Sequence, residues 1–268
     1  MSLFETIKQS AQLLAYVSAE TLWPTRCAIC DEVGELICNT CLRKLPYIDQ
    51  LFCCTTCGAA FGKAICTECN HFILSWKHLD EFPLDGCISA VQLSNDTRRI
   101  ITCYKDRGEQ RLARVIASIT ADAIPARWIS QSVLVPIPTR KEALRQRGFD
   151  HLQLIAKSVS ELTGIPLWNI LAPAPRKRQD QRALNGQQRL NNMRHSFHVT
   201  KPWLVAMGAT SHITPKDSHS IPNSDLKDGT RFILIDDVFT TGATLFAAAE
   251  ELRHSGALIV SGLTFARA

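Results

Sequence analysis

Two sets of residues in this 268-residue chain have the types and spacing to do chemistry. The first is a pair of adjacent carboxylates, Asp236 and Asp237. They stand between the apolar run 232–235 and a small-residue stretch, Thr240, Thr241, Gly242, Ala243 and Thr244. An apolar strand that ends in two acids and turns into a helix can hold two features of one ligand. The turn and helix N-terminus offer N–H groups and the positive end of a dipole, threonines add hydroxyls, and glycine lets the backbone approach closely. That is a cradle for phosphate. The carboxylates beside it can accept from vicinal hydroxyls or face a Mg2+-bound polyphosphate. Ribose 5-phosphate carries both features. The stretch is not a P-loop, because GxxxxGK[ST] is absent.

The second set is sulfur. Nine of the eleven cysteines fall within residues 23–80, as Cys27-x2-Cys30-x7-Cys38-x2-Cys41 and then Cys53-Cys54-x2-Cys57-x8-Cys66-x2-Cys69. A CxxC turn points two thiolates at one metal, and two turns complete a tetrahedral four-cysteine site. Two structural zinc ions are therefore expected. Sequential pairing, 27/30/38/41 and 54/57/66/69, lets each hairpin close its own site, although spacing alone also permits a crossed arrangement. Cys53 is a register alternative to Cys54, and His71 and His78 are alternative ligands. With every thiolate committed, no coordination position is left for water, so the zinc is structural rather than catalytic. Cys87 and Cys103 lie outside this region and read as small apolar core residues.

Charge is uneven. The chain carries net +5, but residues 98–195 hold 18 Lys/Arg against 7 Asp/Glu. Such a basic stretch suits a phosphate-bearing partner, a small polyphosphate or nucleic acid. Lys105, Arg140, Arg145 and Arg147 could surround a pyrophosphate with Mg2+ bridging its oxygens. Leu144 and Phe149 in the same segment read as packing residues. Aromatics for base stacking are sparse; Tyr104, Trp128 and Phe149 are candidates that read better as core. No apolar run of about 18 residues exists to span a membrane. A cytoplasmic protein is expected, reaching the inner membrane face through partners if at all.

The elements that must position these residues follow from the hydrophobic pattern. Residues 1–22 read as an amphipathic helix, with Phe4, Ile7, Ala11, Leu14 and Val17 on one face. Residues 23–80 form the cysteine module. Residues 86–268 alternate strand and helix patterns: strands at 86–94, 132–138, 231–237 and 257–266, helices at about 96–105, 109–123, 151–164 and 242–256. This is an α/β domain with a parallel sheet, whose ligand sites lie at the carboxyl ends of the strands. Residues 201–230, rich in Ser, Thr, Pro and Asp, read as a loop insertion.

The stretch FILIDDVFTTGAT (232–244) resembles the phosphoribosyl-pyrophosphate (PRPP) motif of type I phosphoribosyltransferases. The resemblance implies that Asp236 and Asp237, the catalytic candidates, contact the ribose hydroxyls. It implies that Thr240, Thr241, Gly242, Ala243 and Thr244 bind the 5′-phosphate. More of the chain resembles one branch, the ComF family of competence-associated proteins, which also includes the GntX-like proteins. The cysteine module is similar to the double zinc ribbon that precedes the transferase-like domain there. YKDRG (104–108), VPIPTRKEALRQRGFDH (135–151) and RKRQDQRALNGQQRLNNMRHSF (176–197) resemble family segments, the last through Gln181, Leu184, Arg189, Asn192 and Phe197. Arg176, Arg178, Gln181 and Arg189 would lie on a mobile flap over the site. The chain departs from the family pattern at Asp150-His151, where Asn-Gln is usual, and at Arg178, where Thr is usual. What the resemblance implies is a type I phosphoribosyltransferase-like sheet flanked by helices, preceded by zinc ribbons, that binds PRPP with Mg2+. The implied role is in natural competence, with single-stranded DNA and the DNA-uptake machinery as partners. An active phosphoribosyltransferase with an unnamed acceptor, and a PRPP sensor without turnover, are the rival readings.

Overall fold

The computed structural model describes residues 24–174, 196–200 and 229–268. The expected helix at 1–22, the flap residues Arg176, Arg178, Gln181 and Arg189, and nearly all of the 201–230 insertion lie outside the described residues.

Four parallel strands form the central sheet: β1 (Cys87–Gln92), β2 (Ser132–Pro136), β5 (Arg231–Phe239) and β6 (Ile259–Arg267), in the order β1-β6-β5-β2. Parallel strands are covered on both faces, so they read as continuous apolar runs rather than alternation. Residues 232–235 of β5 are buried throughout. One face carries α3 (Asn95–Lys105), α4 (Leu112–Asp122) and α7 (His151–Thr163). Their Ile100, Leu112, Ile116, Ile155 and Val159 pack on Ile88, Leu134, Ile233, Ile235 and Phe265. The other face carries α8 (Ala243–His254), whose Ala248 and Ala249 let the helix lie close on Val135, Phe232, Leu234 and Val260.

An antiparallel ribbon, β3 (Leu171–Pro173) with β4 (Phe197–Val199), packs beside α8, where the Val199 N–H donates to Glu251 Oε1 at 3.2 Å. This pairing sets Pro173 opposite Phe197. Four shorter helices complete the described elements: α1 (Asn39–Arg43), α2 (His71–Trp76), α5 (Ala126–Ile129) and α6 (Lys141–Arg147), the last between β2 and α7.

The first cysteine hairpin has no separate core. Cys27, Ile29, Ile37 and Leu45 belong to the same cluster as α3 and α4. Arg99 Nη1 donates to the Ile29 carbonyl at 2.8 Å and Arg111 Nη1 to Thr25 Oγ1 at 2.9 Å. The second hairpin lies at the start of β1, where the Cys87 N–H donates to the Thr56 carbonyl at 2.9 Å.

Three local expectations are revised. The acids do not end their strand: β5 runs on to Phe239, because β6 continues to pair with it (Phe239 opposite Arg267). Leu144 is 38 % exposed on α6 rather than packed, whereas Phe149 is buried against Tyr104. Cys103 is only partly buried, while Cys87 is fully inside.

Candidate functional site

β2 pairs with β5 only as far as Ile235, and the last bond across that edge runs from the Ile137 N–H to the Ile235 carbonyl at 3.0 Å. Beyond it β5 keeps β6 on one side and opens on the other. Asp236 and Asp237 lie in this opening, walled by the end of α3 and the start of α7. Each carboxylate takes the next backbone N–H, from Asp237 to Asp236 Oδ1 and from Val238 to Asp237 Oδ1, both at 2.9 Å.

The two acids have different environments, as expected for neighbours on a strand whose side chains leave on alternate faces. Asp237, 9 % exposed, forms an ion pair with Lys105, the last residue of α3. Asp236 feels Lys105 only as a nearby charge; burial outweighs it and pushes the carboxyl up to about 6. Burial also pulls Lys105 down to about 8, with Arg147 adding to the fall and Asp236 opposing it. Lys105, expected at the pyrophosphate, is thus placed on the acidic pair.

Arg147 and His151 complete the wall. Thr139 Oγ1 and Arg147 Nη1 both lie 3.4 Å from His151 Nδ1. A guanidinium can only donate, so Nδ1 accepts and the ring proton is on Nε2. Burial, then the charges of Lys105 and Arg147, hold His151 down at about 3, so the imidazole is neutral. The His151 carbonyl accepts from the buried Tyr104 hydroxyl at 2.6 Å. Asp150 caps α7, accepting from the Gln153 N–H at 3.1 Å and from Thr139 Oγ1 at 2.8 Å. Asp150 and His151 therefore each have a structural use at the start of a helix. Arg140 and Arg145 are exposed at the two ends of α6.

The phosphate-cradle stretch is a turn of three residues between β5 and α8. Thr240 and Thr241 are exposed, and Ala243 and Thr244 already belong to the first turn of α8. Gly242 has φ of +80°, and an added Cβ would lie 2.5 Å from Phe246 Cζ and 2.8 Å from Phe239 Cζ. Conformation and space both require glycine. No side chain caps α8 at Gly242, and the Ala243 N–H reaches Thr241 Oγ1 only at 3.4 Å. The first N–H groups of this twelve-residue helix thus take no side-chain cap at Gly242, a few residues beyond the acids in the chain.

The cysteines assemble as two sets of four, Cys27/Cys30/Cys38/Cys41 and Cys54/Cys57/Cys66/Cys69, with all sulfurs of a set within 4.8 Å of one another. The pairing is sequential. Sulfur separations of 3.7 Å (Cys30–Cys38), 3.6 Å (Cys54–Cys69) and 3.5 Å (Cys57–Cys66) suit a tetrahedron with metal–sulfur bonds of about 2.3 Å. Backbone N–H groups of Cys38 and Glu68 donate to Cys27 Sγ and Cys66 Sγ, each at 3.4 Å. Burial raises the Cys27 and Cys54 thiols, but N–H donors outweigh it and bring each to about 7. Both sets could hold zinc. Cys53 instead bonds to Gln50, and neither His71 nor His78 belongs to a set.

Tyr104, Trp128 and Phe149 are buried, so none can stack on a base. Among the described residues the exposed aromatics are on the cysteine module, Phe61 (81 %), Phe72 (83 %) and Trp76 (79 %) among them; no sequence signal separated them from core residues. Among the described residues no helix is long and apolar enough to cross a membrane.

No family model matches the chain. Over 236 residues it is 26% identical to the competence protein ComFC of Bacillus subtilis (strain 168), covering 87% of this chain and 85% of that protein. Over 255 residues it is 23% identical to the competence protein ComFC of Streptococcus pneumoniae (strain ATCC BAA-255 / R6), covering 90% of this chain and 100% of that protein. The chain is similar along most of its length to two proteins named for competence.

Proposed function

We propose that the protein binds PRPP, or ribose 5-phosphate, at the β5–α8 opening and serves a competence-related role, as its ComFC relatives are named to do. The observation that carries the binding reading is the adjacency of two unlike parts: a half-buried and a buried acid on β5, Asp236 and Asp237, and an uncapped helix N-terminus just beyond the strand. In this reading Asp236 and Asp237 accept from the ribose hydroxyls. The turn at Thr240, Thr241 and Gly242, with Ala243 and Thr244, takes the 5′-phosphate. Ligand hydroxyls share Asp237 with Lys105, so Lys105 orients an acceptor as well as lying near the pyrophosphate beside Arg147. Arg140 and Arg145 are exposed on the approach, where they attract the polyphosphate, and Mg2+ would arrive on its oxygens. Zinc in the two cysteine sets holds the hairpins against the sheet.

Turnover would displace pyrophosphate from C1 of the sugar, with positive charge around the leaving group. The test is pyrophosphate release from Mg-PRPP with candidate acceptors: acceptor-dependent release abolished by Asp236→Ala/Asp237→Ala identifies an enzyme, and binding without release identifies a sensor. Single-stranded DNA is the second ligand of the reading. The exposed Phe61, Phe72 and Trp76 support it as stacking surfaces, with basic residues for the backbone. Oligonucleotide binding that weakens with salt and with Phe72→Ala/Trp76→Ala supports direct contact; no binding at low salt removes it.

A further inference from the structure

We propose that Arg267 is a positioning residue that ties the second cysteine set to the glycine turn of the ligand site, so that metal held by Cys54, Cys57, Cys66 and Cys69 sets the shape of that turn. Arg267 is a buried cation, 5 % exposed, near the end of β6. Its Nη1 donates to the Cys57 carbonyl at 2.6 Å, and its Nη2 lies 3.6 Å from Cys57 Sγ and pairs with Glu68. The other side of the same guanidinium lies over the Phe239 ring, 4.3 Å from its centre. Phe239 is the residue opposite Arg267 in the β5–β6 register and the last before the turn.

The ring transmits position directly. Phe239 and Phe246 meet edge to face at 6.1 Å, and the Gly242 backbone rests on both, so close that an added Cβ would overlap each ring. A metal fixes the turn from Cys54 to Cys57 and thereby the carbonyl and sulfur that hold the guanidinium. Four thiolates around Zn2+ carry a net charge of about −2, which a buried arginine beside Cys57 complements. The sequence of contacts is metal set, Arg267, Phe239, Gly242. The acids take no part, so this coupling adds to the ligand reading; only its effect on ligand affinity rests on that reading.

The test compares wild type, Arg267→Met, Arg267→Lys and Phe239→Leu for zinc content, for amide hydrogen exchange at residues 240–243, and for ribose 5-phosphate affinity. Wild type is also measured after zinc is drawn off by a chelator. Arg267→Met is expected to keep two zinc ions, exchange about tenfold faster in the turn and bind the sugar phosphate about tenfold more weakly. Lysine, which can still donate to the Cys57 carbonyl, restores part of both. Phe239→Leu loosens the turn with Arg267 intact. Chelation speeds the turn in wild type but adds nothing in Arg267→Met. Turn exchange at the wild-type rate in Arg267→Met and Phe239→Leu overturns the coupling, as does chelation acting equally on both backgrounds. If Arg267→Met loses its zinc, Phe239→Leu and the chelated wild type decide. If wild type takes up neither ribose 5-phosphate nor PRPP, the ligand reading falls, and the exchange arm still decides on Arg267.

Discussion

Asp237 and Asp236 differ by one position in the chain and by a partner in the fold. Asp237 has Lys105 as its counter-ion, so removing the lysine leaves a buried charge uncompensated. Lys105→Met should destabilise the protein by about 3 kcal/mol, and adding Asp237→Asn should recover much of that loss; urea unfolding of the two variants checks it, and an undiminished cost in the double variant would count against the pair. Asp236 is penalised by burial instead. Its folded value of about 6 lies above the ordinary 3.8, so the native state holds a proton that the unfolded chain releases in between. Its contribution is present below 3.8 and lost as pH rises through about 6. Asp236→Asn should therefore be more stable than wild type at pH 8, by up to about 3 kcal/mol, with the gain fading toward pH 4. His151 has the opposite sign. Its value falls from 6.5 to about 3, so its contribution is present above 6.5 and lost as pH falls toward 3. Wild-type stability should vary little between about pH 4 and 6, where the two oppose each other, and Asp236→Asn should expose the histidine slope. A profile that keeps the same shape in the variant would refute this assignment.

At the scale of elements, β5, its turn and α8 form the unit that carries the proposed ligand site. Gly242→Ala forces a left-handed conformation and a collision with two rings. It should cost roughly 3 kcal/mol and abolish sugar-phosphate binding, measured by thermal unfolding and calorimetry. Much of this unit was legible in the sequence, because a parallel strand buried on both faces is an uninterrupted apolar run and the glycine-bearing turn follows it directly. The extension of β5 to Phe239 was not legible: β6 keeps pairing where β2 stops, and that is a property of neighbours. Helix α6 was also missed, since KEALRQR presents no apolar stripe, and the exposed Leu144 misled as a core residue. The contacts of Asp150 and His151 with Thr139, Arg147 and Tyr104 were not legible either, because those partners lie at other points in the chain. The cysteine sets were legible because their spacing is local. Arg267 was not, a single arginine in an apolar strand whose partner lies 210 positions away.

Taken whole, the molecule joins the two cysteine sets to a sheet without an intervening boundary of solvent. Cys27, Ile29 and Ile37 share their core with α3 and α4, so metal removal should be felt beyond the hairpins. Chelation of a preparation holding about two zinc ions per chain should broaden the unfolding transition and expose α3 and α4 to proteolysis; a metal-free chain with an unchanged transition would contradict it. In the proposed reading, the basic middle of the chain would attract the phosphates and the acids on β5 would accept from the hydroxyls of one sugar phosphate. Titration calorimetry of the zinc-loaded protein with PRPP, with and without Mg2+, tests that claim most directly. Saturable binding at one site per chain is expected, lost in Asp236→Ala/Asp237→Ala while the zinc content stays the same. Absence of binding under both conditions, or equal binding by the double variant, would contradict it.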